Sequence, residues 1–170
     1  SADILHKTEA QAVKLGLADA AAVKAAYAEI TQNVKRYKPD AGIAGVIVQA
    51  MAQGEVELVV GLKHDPVFGV VVMAGLGGIY VEVLKDVAFR KAPVTEAEAA
   101  RMLDELKSGA ILDGVRGRPA ADRAALARRI SAVSLFGAAA GERLQELDLN
   151  PVLAAPGGAC AVDWLMLLDS

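Results

Sequence analysis

The 170-residue chain reads as an α+β protein built from two unequal lobes. Three observations carry that reading. A strand, helix, strand pattern occupies residues 13–51; from Glu55 onward short Val- and Leu-rich runs are broken by Asp-Pro and Gly-Gly turns; and two helical stretches then lead into a hairpin around Ala155-Pro156-Gly157-Gly158. The division is placed at residues 51–54. It gives a partial first lobe over residues 1–50 and a larger second lobe over 51–170, with a mixed or mostly antiparallel sheet and flanking helices.

Residues 13–17 read as a short strand. Asp19 is an N-cap for a helix whose Ala20, Val23, Tyr27, Ile30 and Val34 follow helical spacing, and Lys35, Arg36, Lys38 and Pro39 close it. A second strand covers 45–51, so this lobe is half of an α/β unit without its first element. In the second lobe, 56–62, 70–74, 79–83 and 87–90 are β-rich. Thr95 with Glu98 makes a capping box for a helix through Lys107 that turns Ala99, Met102, Leu103 and Leu106 inward, with Gly109 near its stop. A further helix at 121–137 buries Leu126, Ile130 and Val133. The hairpin joins 144–153 to 159–165.

Composition narrows the function classes. A net charge of -3 gives no basic field for duplex nucleic acid. Residues are 54% hydrophobic but only 4% aromatic, which suits Ala-, Val- and Leu-packed helices and strands, with some apolar surface left for a partner or a second copy of the chain. The single cysteine, Cys160, is expected in the core of a strand and fits a reducing compartment. The apolar run 69–81 is too short and glycine-rich to span a membrane, and Lys7 and Glu9 spoil a signal peptide, so a cytoplasmic address is expected. The start at Ser1, inside a motif-bearing segment, suggests a piece of something longer.

The hairpin carries the sharpest chemical inference. Alternation along a strand puts Asp148 and Asn150 on one face and Leu147 and Leu149 on the other. A turn centred on Pro156-Gly157 sets residue 163 opposite residue 150, so Asp163 joins the oxygen-bearing face while Val162 and Trp164 pack with the leucines. Two carboxylates and an amide oxygen beside water suit magnesium, which keeps several waters and takes further ligands from phosphate. Alone, Asp-Leu-Asn-Pro also reads as solvated strand residues before a turn. Gly75-Leu76-Gly77-Gly78, after a Val-rich strand, is a bend whose missing side chains admit a ligand to the backbone.

Taken in order, these segments resemble the ATP-grasp domain of nucleoside-diphosphate-forming acyl-CoA synthetases, relatives of the succinyl-CoA synthetase beta subunit. Four separated motifs carry the resemblance: His6-Lys7-Thr8-Glu9, Asp65-Pro66 with Phe68-Gly69, the glycine bend with Glu82 and Asp86, and Asp148-Leu149-Asn150-Pro151 with Asp163. It implies an ATP-grasp fold and the reversible conversion of acyl-CoA, ADP and phosphate into acid, CoA and ATP through an acyl phosphate and a phosphohistidine. Asp148, Asn150 and Asp163 are then the ligands of the Mg2+ that accompanies ATP. Gln49 borders adenine at the lobe hinge, and Glu57 opens the next strand at an acidic position of the family. Gly75, Gly77 and Gly78 face the transferred phosphoryl group, with Glu82 accepting from a histidine and Asp86 either beside it or an exposed turn acid. His6 is a second phosphoryl relay or a solvated terminal residue, its neutral nitrogen being nucleophilic near pH 7.

The pattern is broken in places. Gln11-Ala12 stands where relatives carry a Gly-Gly pair over the triphosphate, Val70 replaces a proline, Asp148 replaces a commoner glutamate, and His64, where relatives carry arginine, reads as surface. Arg116, Arg118, Arg123, Arg128 and Arg129 read first as a solvated basic helix face and second as contacts for phosphates of nucleotide or coenzyme A. A strand with an ATP-contacting lysine, the coenzyme A-binding lobe and the phosphohistidine lie outside this sequence, in further domains of the same protein or an alpha-type subunit. By itself the chain is expected to be inactive. The rival readings are a regulatory ATP-grasp-like domain of a protein lysine acetyltransferase and a non-catalytic dimerisation domain.

Overall fold

A computed structural model describes residues 1, 3, 4, 7–78, 84–115 and 117–169. They gather into two compact units, Ser1–Met51 and Ala52–Ser170. The expected strand at 79–83 lies outside the described residues.

The first unit is built on α1 (Ala20–Tyr37). Asp19 caps it by accepting from the Ala22 N–H at 2.8 Å. Ile30 and Val34 pack with Ile4 and Ala10 in a small cluster. The strands expected at 13–17 and 45–51 do not form; both segments run as irregular chain, leaving Leu15, Ile47, Val48 and Met51 exposed. Their apolar pattern was real, but a strand exists only where another offers its ladder of N–H and C=O groups, and neither segment has such a partner among the described residues.

The second unit is an antiparallel sheet in the order β3-β2-β1-β4-β5, with β6 also paired to β4. Its strands are β1 (Val56–Asp65), β2 (Gly69–Leu76), β3 (Val87–Lys91), β4 (Leu144–Ala155), β5 (Gly158–Ala161) and β6 (Trp164–Leu168). The β1–β2 turn is fastened by Asp65, whose Oδ1 accepts from the N–H groups of Val67 and Phe68 at 2.8 and 2.9 Å. One sheet face carries Leu58, Val60, Leu62, Val72, Ala74 and Leu76, all nearly inaccessible. Helices α2 (Glu96–Asp104) and α3 (Arg123–Ala140) add Met102, Leu103, Leu126 and Ile130 to that core.

Thr95 caps α2 by accepting from the Glu98 N–H, but Glu98 does not complete the expected box. Its carboxylate instead accepts from Arg90 at 2.7 Å and pairs with Arg101, tying β3 to the helix. Asp122 caps α3, which begins two residues later and runs three further than expected. Ser134 Oγ accepts from the Val94 N–H at 2.9 Å, and Ser131 Oγ donates to the Val94 carbonyl at 2.8 Å, anchoring the segment before α2. Among the described residues no helix is long and apolar enough to cross a membrane.

Candidate functional site

The C-terminal hairpin places the site. Ala155 pairs with Gly158, Val152 with Ala161, and Leu149 with Trp164. Between these, the Asn150 N–H donates to the Asp163 carbonyl at 3.2 Å and the Val162 N–H to the Pro151 carbonyl at 2.9 Å. Asn150 and Asp163 are therefore cross-strand partners, as the turn position implied. On the other side of β4 the ladder with β1 shifts: Leu58 faces Val152 but Val60 faces Leu149, so Asn150 and Pro151 together stand opposite Val59. A proline cannot donate to a ladder, and this irregularity accommodates it.

Leu147 and Leu149 meet Leu62 and Val60 on the core side, while Asp148 lies opposite Gly61 on the outer side. The leucine side of the hairpin is less well covered than expected. Trp164 stands opposite Leu149 yet is 63% exposed, and Val162 is exposed as well, because β5 and β6 form an edge of the sheet. Cys160 is also exposed rather than core, since its partner is Leu153 on that same edge hairpin.

Asp148 is half-buried, and its carboxyl is pushed above the usual carboxylate range first by burial, then by the negative charges of Glu146 and Asp163. Asp163 Oδ1 accepts from the Trp164 N–H at 3.0 Å. Among the described residues no three His, Cys, Asp or Glu side chains converge as a metal cluster. A cation here would rest on two carboxylates and the Asn150 amide oxygen, a hard-oxygen set that leaves room for water and phosphate. The crowding at Asp148 fits such an ion, because a positive charge would relieve the repulsion that raises its proton affinity.

Toward the start of β1 the outer face becomes glycine-lined. Val59 pairs with Gly75, and Glu57 lies two residues before it, roughly 7 Å along the strand. The Gly77 N–H donates to the Glu57 carbonyl at 2.7 Å, and a Cβ at residue 77 would stand 3.2 Å from Glu57 backbone atoms, so glycine eases this close approach. Gly78 follows with φ +60°. Beside them a cleft of about 790 Å³ is lined by Gly54, Glu57, Gly77, Gly78, Val115 and Arg118 among others. Gly75, Gly77, Gly78 and Glu57 are thus brought into one region with Asn150 on the adjoining strand.

His6 and Glu82 lie outside the described residues. Gln49 belongs to the first unit, where it is exposed. Asp86, expected near the glycine bend or as an exposed turn acid, is 3% exposed and accepts from the N–H groups of Lys107 at 2.8 Å and Ser108 at 2.7 Å. Burial pushes its carboxyl upward, but the Ser108 and Lys107 N–H groups outweigh it and hold the pKa below the usual range. Gln11 has a left-handed backbone, with φ 51°, in a turn where its N–H donates to the Thr8 carbonyl at 2.9 Å.

The arginine group separates too. Arg123 pairs with Asp104 and Asp113, Arg128 and Arg129 are exposed on α3, Arg116 is outside the described residues, and Arg118 stands in the loop before α3. The position of Arg118 at the cleft was missed by the sequence reading, which grouped it with the helix; the flanking Gly114 and Gly117 were the available signal.

A family profile for the ATP-grasp domain matches residues 1–168. Acetate–CoA ligase [ADP-forming] I of Archaeoglobus fulgidus is 46% identical over 99% of this chain, which spans 24% of that protein. The beta subunit of acetate–CoA ligase [ADP-forming] I of Pyrococcus furiosus is 42% identical over 99% of this chain, and 72% of the subunit is covered. Among solved structures, the dinucleotide-forming acetyl-coenzyme A synthetase 1 of Ca. Korarchaeum cryptofilum, with coenzyme A, Ca-AMPCP and HgCl+, superposes with a TM-score of 0.94 at 42% identity, covering 98% of this chain and 72% of that one. A complex of the same synthetase with coenzyme A and Mg-AMPPCP, its phosphohistidine segment pointing towards the nucleotide binding site, gives 0.83 at 38% identity, covering 99% of this chain and 73% of that one. With nearly the whole sequence matched and the α+β fold shared, the chain belongs to the ATP-grasp domain family.

Proposed function

We propose that this chain is the nucleotide-handling part of an ADP-forming acid–CoA ligase, which interconverts acyl-CoA, ADP and phosphate with acid, CoA and ATP. Ser1–Met51 is part of the first ATP-grasp lobe and Ala52–Ser170 the larger lobe. Coenzyme A-binding and phosphohistidine domains come from elsewhere in the protein or from an alpha-type subunit, as beta-subunit relatives suggest. The protein is cytoplasmic.

The observation that carries this reading is the Asn150–Asp163 pair beside the crowded carboxylate of Asp148, on the same face as Glu57 and the glycines. Asp148, Asn150 and Asp163 hold Mg2+, which supplies charge neutralisation to the phosphoryl group in transfer. Gly75, Gly77 and Gly78 leave the backbone open for that group to approach, and Glu57 accepts from a hydroxyl of the nucleotide. Gln49 borders the base. Outside the described residues, Glu82 orients a histidine and His6 relays the phosphoryl group.

The test is histidine labelling from radiolabelled Mg-ATP in the full-length protein. Asn150→Ala and Asp163→Ala are each expected to reduce labelling by about 100-fold, the scale of losing an electrostatic clamp, with circular dichroism unchanged. Undiminished labelling in both would remove the site.

A further inference from the structure

Arg118 sits in a loop whose described residues are tied by backbone hydrogen bonds. Gly114 and Gly117 have φ of +85° and +81°, the Arg118 N–H donates to the Val115 carbonyl at 3.1 Å, and the Ala121 N–H donates to the Leu112 carbonyl at 2.8 Å. A Cβ at Gly114 would lie 2.6 Å from the Arg118 carbonyl oxygen, so the loop closes this tightly only with glycine there. Arg118 lines the same cleft as Gly77 and Gly78.

Among the described residues Arg118 is the one cationic residue lining this cleft. Arg90, Arg101 and Arg123 are all committed to carboxylates. Among the described residues, the Arg118 guanidinium has no such partner, and the cleft's own acids, Glu55 and Glu57, are not paired with it. A guanidinium at a cleft that glycine backbone also lines is suited to a tetrahedral oxyanion that it can grip with two N–H groups. Acids on the same wall match a ligand that also carries hydrogen-bond donors, such as hydroxyls or an imidazole N–H.

We propose that Arg118 holds the phosphoryl group that enters this cleft beside Gly77 and Gly78. The inference rests on the phosphoryl-transfer reading above and adds to its Mg2+ a cationic side chain, which that reading assigns to none of the described residues. The phosphoryl group has two possible carriers with one chemistry, the nucleotide's terminal phosphate and a phosphoimidazole, and the experiment separates them.

Arg118→Ala, Arg118→Lys and the α3 surface control Arg128→Ala are made in the full-length protein. Mg-ATP and Mg-ADP affinities are measured by calorimetry, and phosphoryl return from the labelled histidine to ADP by rapid quench. A roughly tenfold loss of Mg-ATP affinity in Arg118→Ala, with Mg-ADP affinity held, assigns the contact to the nucleotide's terminal phosphate. Held affinities with phosphoryl return slowed roughly tenfold assign it to the phosphoimidazole. In either case Arg118→Lys recovers part of the loss, because the charge remains and the fork is gone, while Arg128→Ala behaves as wild type.

Wild-type values throughout for Arg118→Ala would overturn the proposal while leaving nucleotide chemistry in place. So would a Lys variant as impaired as the Ala variant with a lowered melting temperature, the mark of a structural role. A wild-type protein that neither binds Mg-ATP nor becomes labelled would overturn the underlying reading and this inference with it.

Discussion

Asp86 shows how a residue's chemistry can be legible while its use is not. A carboxylate shortly after a glycine bend suggests a site acid, yet in three dimensions it is spent on the two N–H groups that leave α2. Removing it strands both donors in a place water reaches poorly, which costs about 1–3 kcal/mol. Asp86→Ala is therefore expected to lower unfolding free energy by about 2 kcal/mol at pH 7, read from urea titration. Because its folded pKa is depressed, the ionised form carries the stabilisation. That contribution is complete above the unfolded aspartate pKa of about 3.9 and is lost as pH falls through the lower folded value. The gap between wild type and Asp86→Ala should narrow over that acidic window; a gap that widened on acidification would contradict the assignment. Gln11 is a second case. Its side chain was visible, but only the fold shows the left-handed backbone beneath it, at a steric cost of about 1–2 kcal/mol for a side chain there.

Among the elements, those whose determinants are local were readable and those needing distant partners were not. The hairpin register followed from one turn, because fixing Ala155 against Gly158 fixes every pair down to Glu146 against Leu167. The caps at Asp19 and Thr95 were likewise written in a few adjacent residues. The segments at 13–17 and 45–51 were not readable as coil, since their side chains alternate well enough and only the missing ladder decides. Cys160 and Trp164 were misplaced because strand alternation says which face a residue takes and not whether that face is covered. Helix α3 offers a test of the packing itself. Gly137 lets it approach the sheet so closely that a Cβ would stand 2.7 Å from Leu62 Cδ1 and 2.9 Å from Val70 Cγ1. A side chain there gains about 1 kcal/mol of helix propensity but overpacks a core centred on two strands, at about 1–3 kcal/mol. For Gly137→Val, β-branching removes most of the propensity gain, so overpacking wins. Its midpoint in urea should fall with the m-value unchanged, and an unchanged midpoint would mean that the helix shifts freely.

At the scale of the whole chain, the two units differ sharply in what holds them. The large apolar cluster draws every buried member from Ala52–Ser170, from Val56 to Ala154. Among the described residues, Ser1–Met51 has a separate cluster of the buried side chains Ile4, Ala10, Ile30 and Val34 around α1. A segment of this size buries too small a fraction of its surface to offset chain entropy without outside support. Its Val13, Leu15, Leu17, Ile47, Val48 and Met51 stand uncovered for the same reason, and sequence patterning alone gave no measure of that deficit. The second unit expressed alone as Ala52–Ser170 is therefore expected to unfold in one cooperative urea transition, with tryptophan fluorescence and far-ultraviolet circular dichroism coincident. Ser1–Met51 alone should show only the partial helicity of α1, declining without a sigmoidal step, because an 18-residue helix in water is marginal by itself. A cooperative transition in the small fragment, or a graded one in the large, would show that the stability of this chain is distributed otherwise than its buried surface.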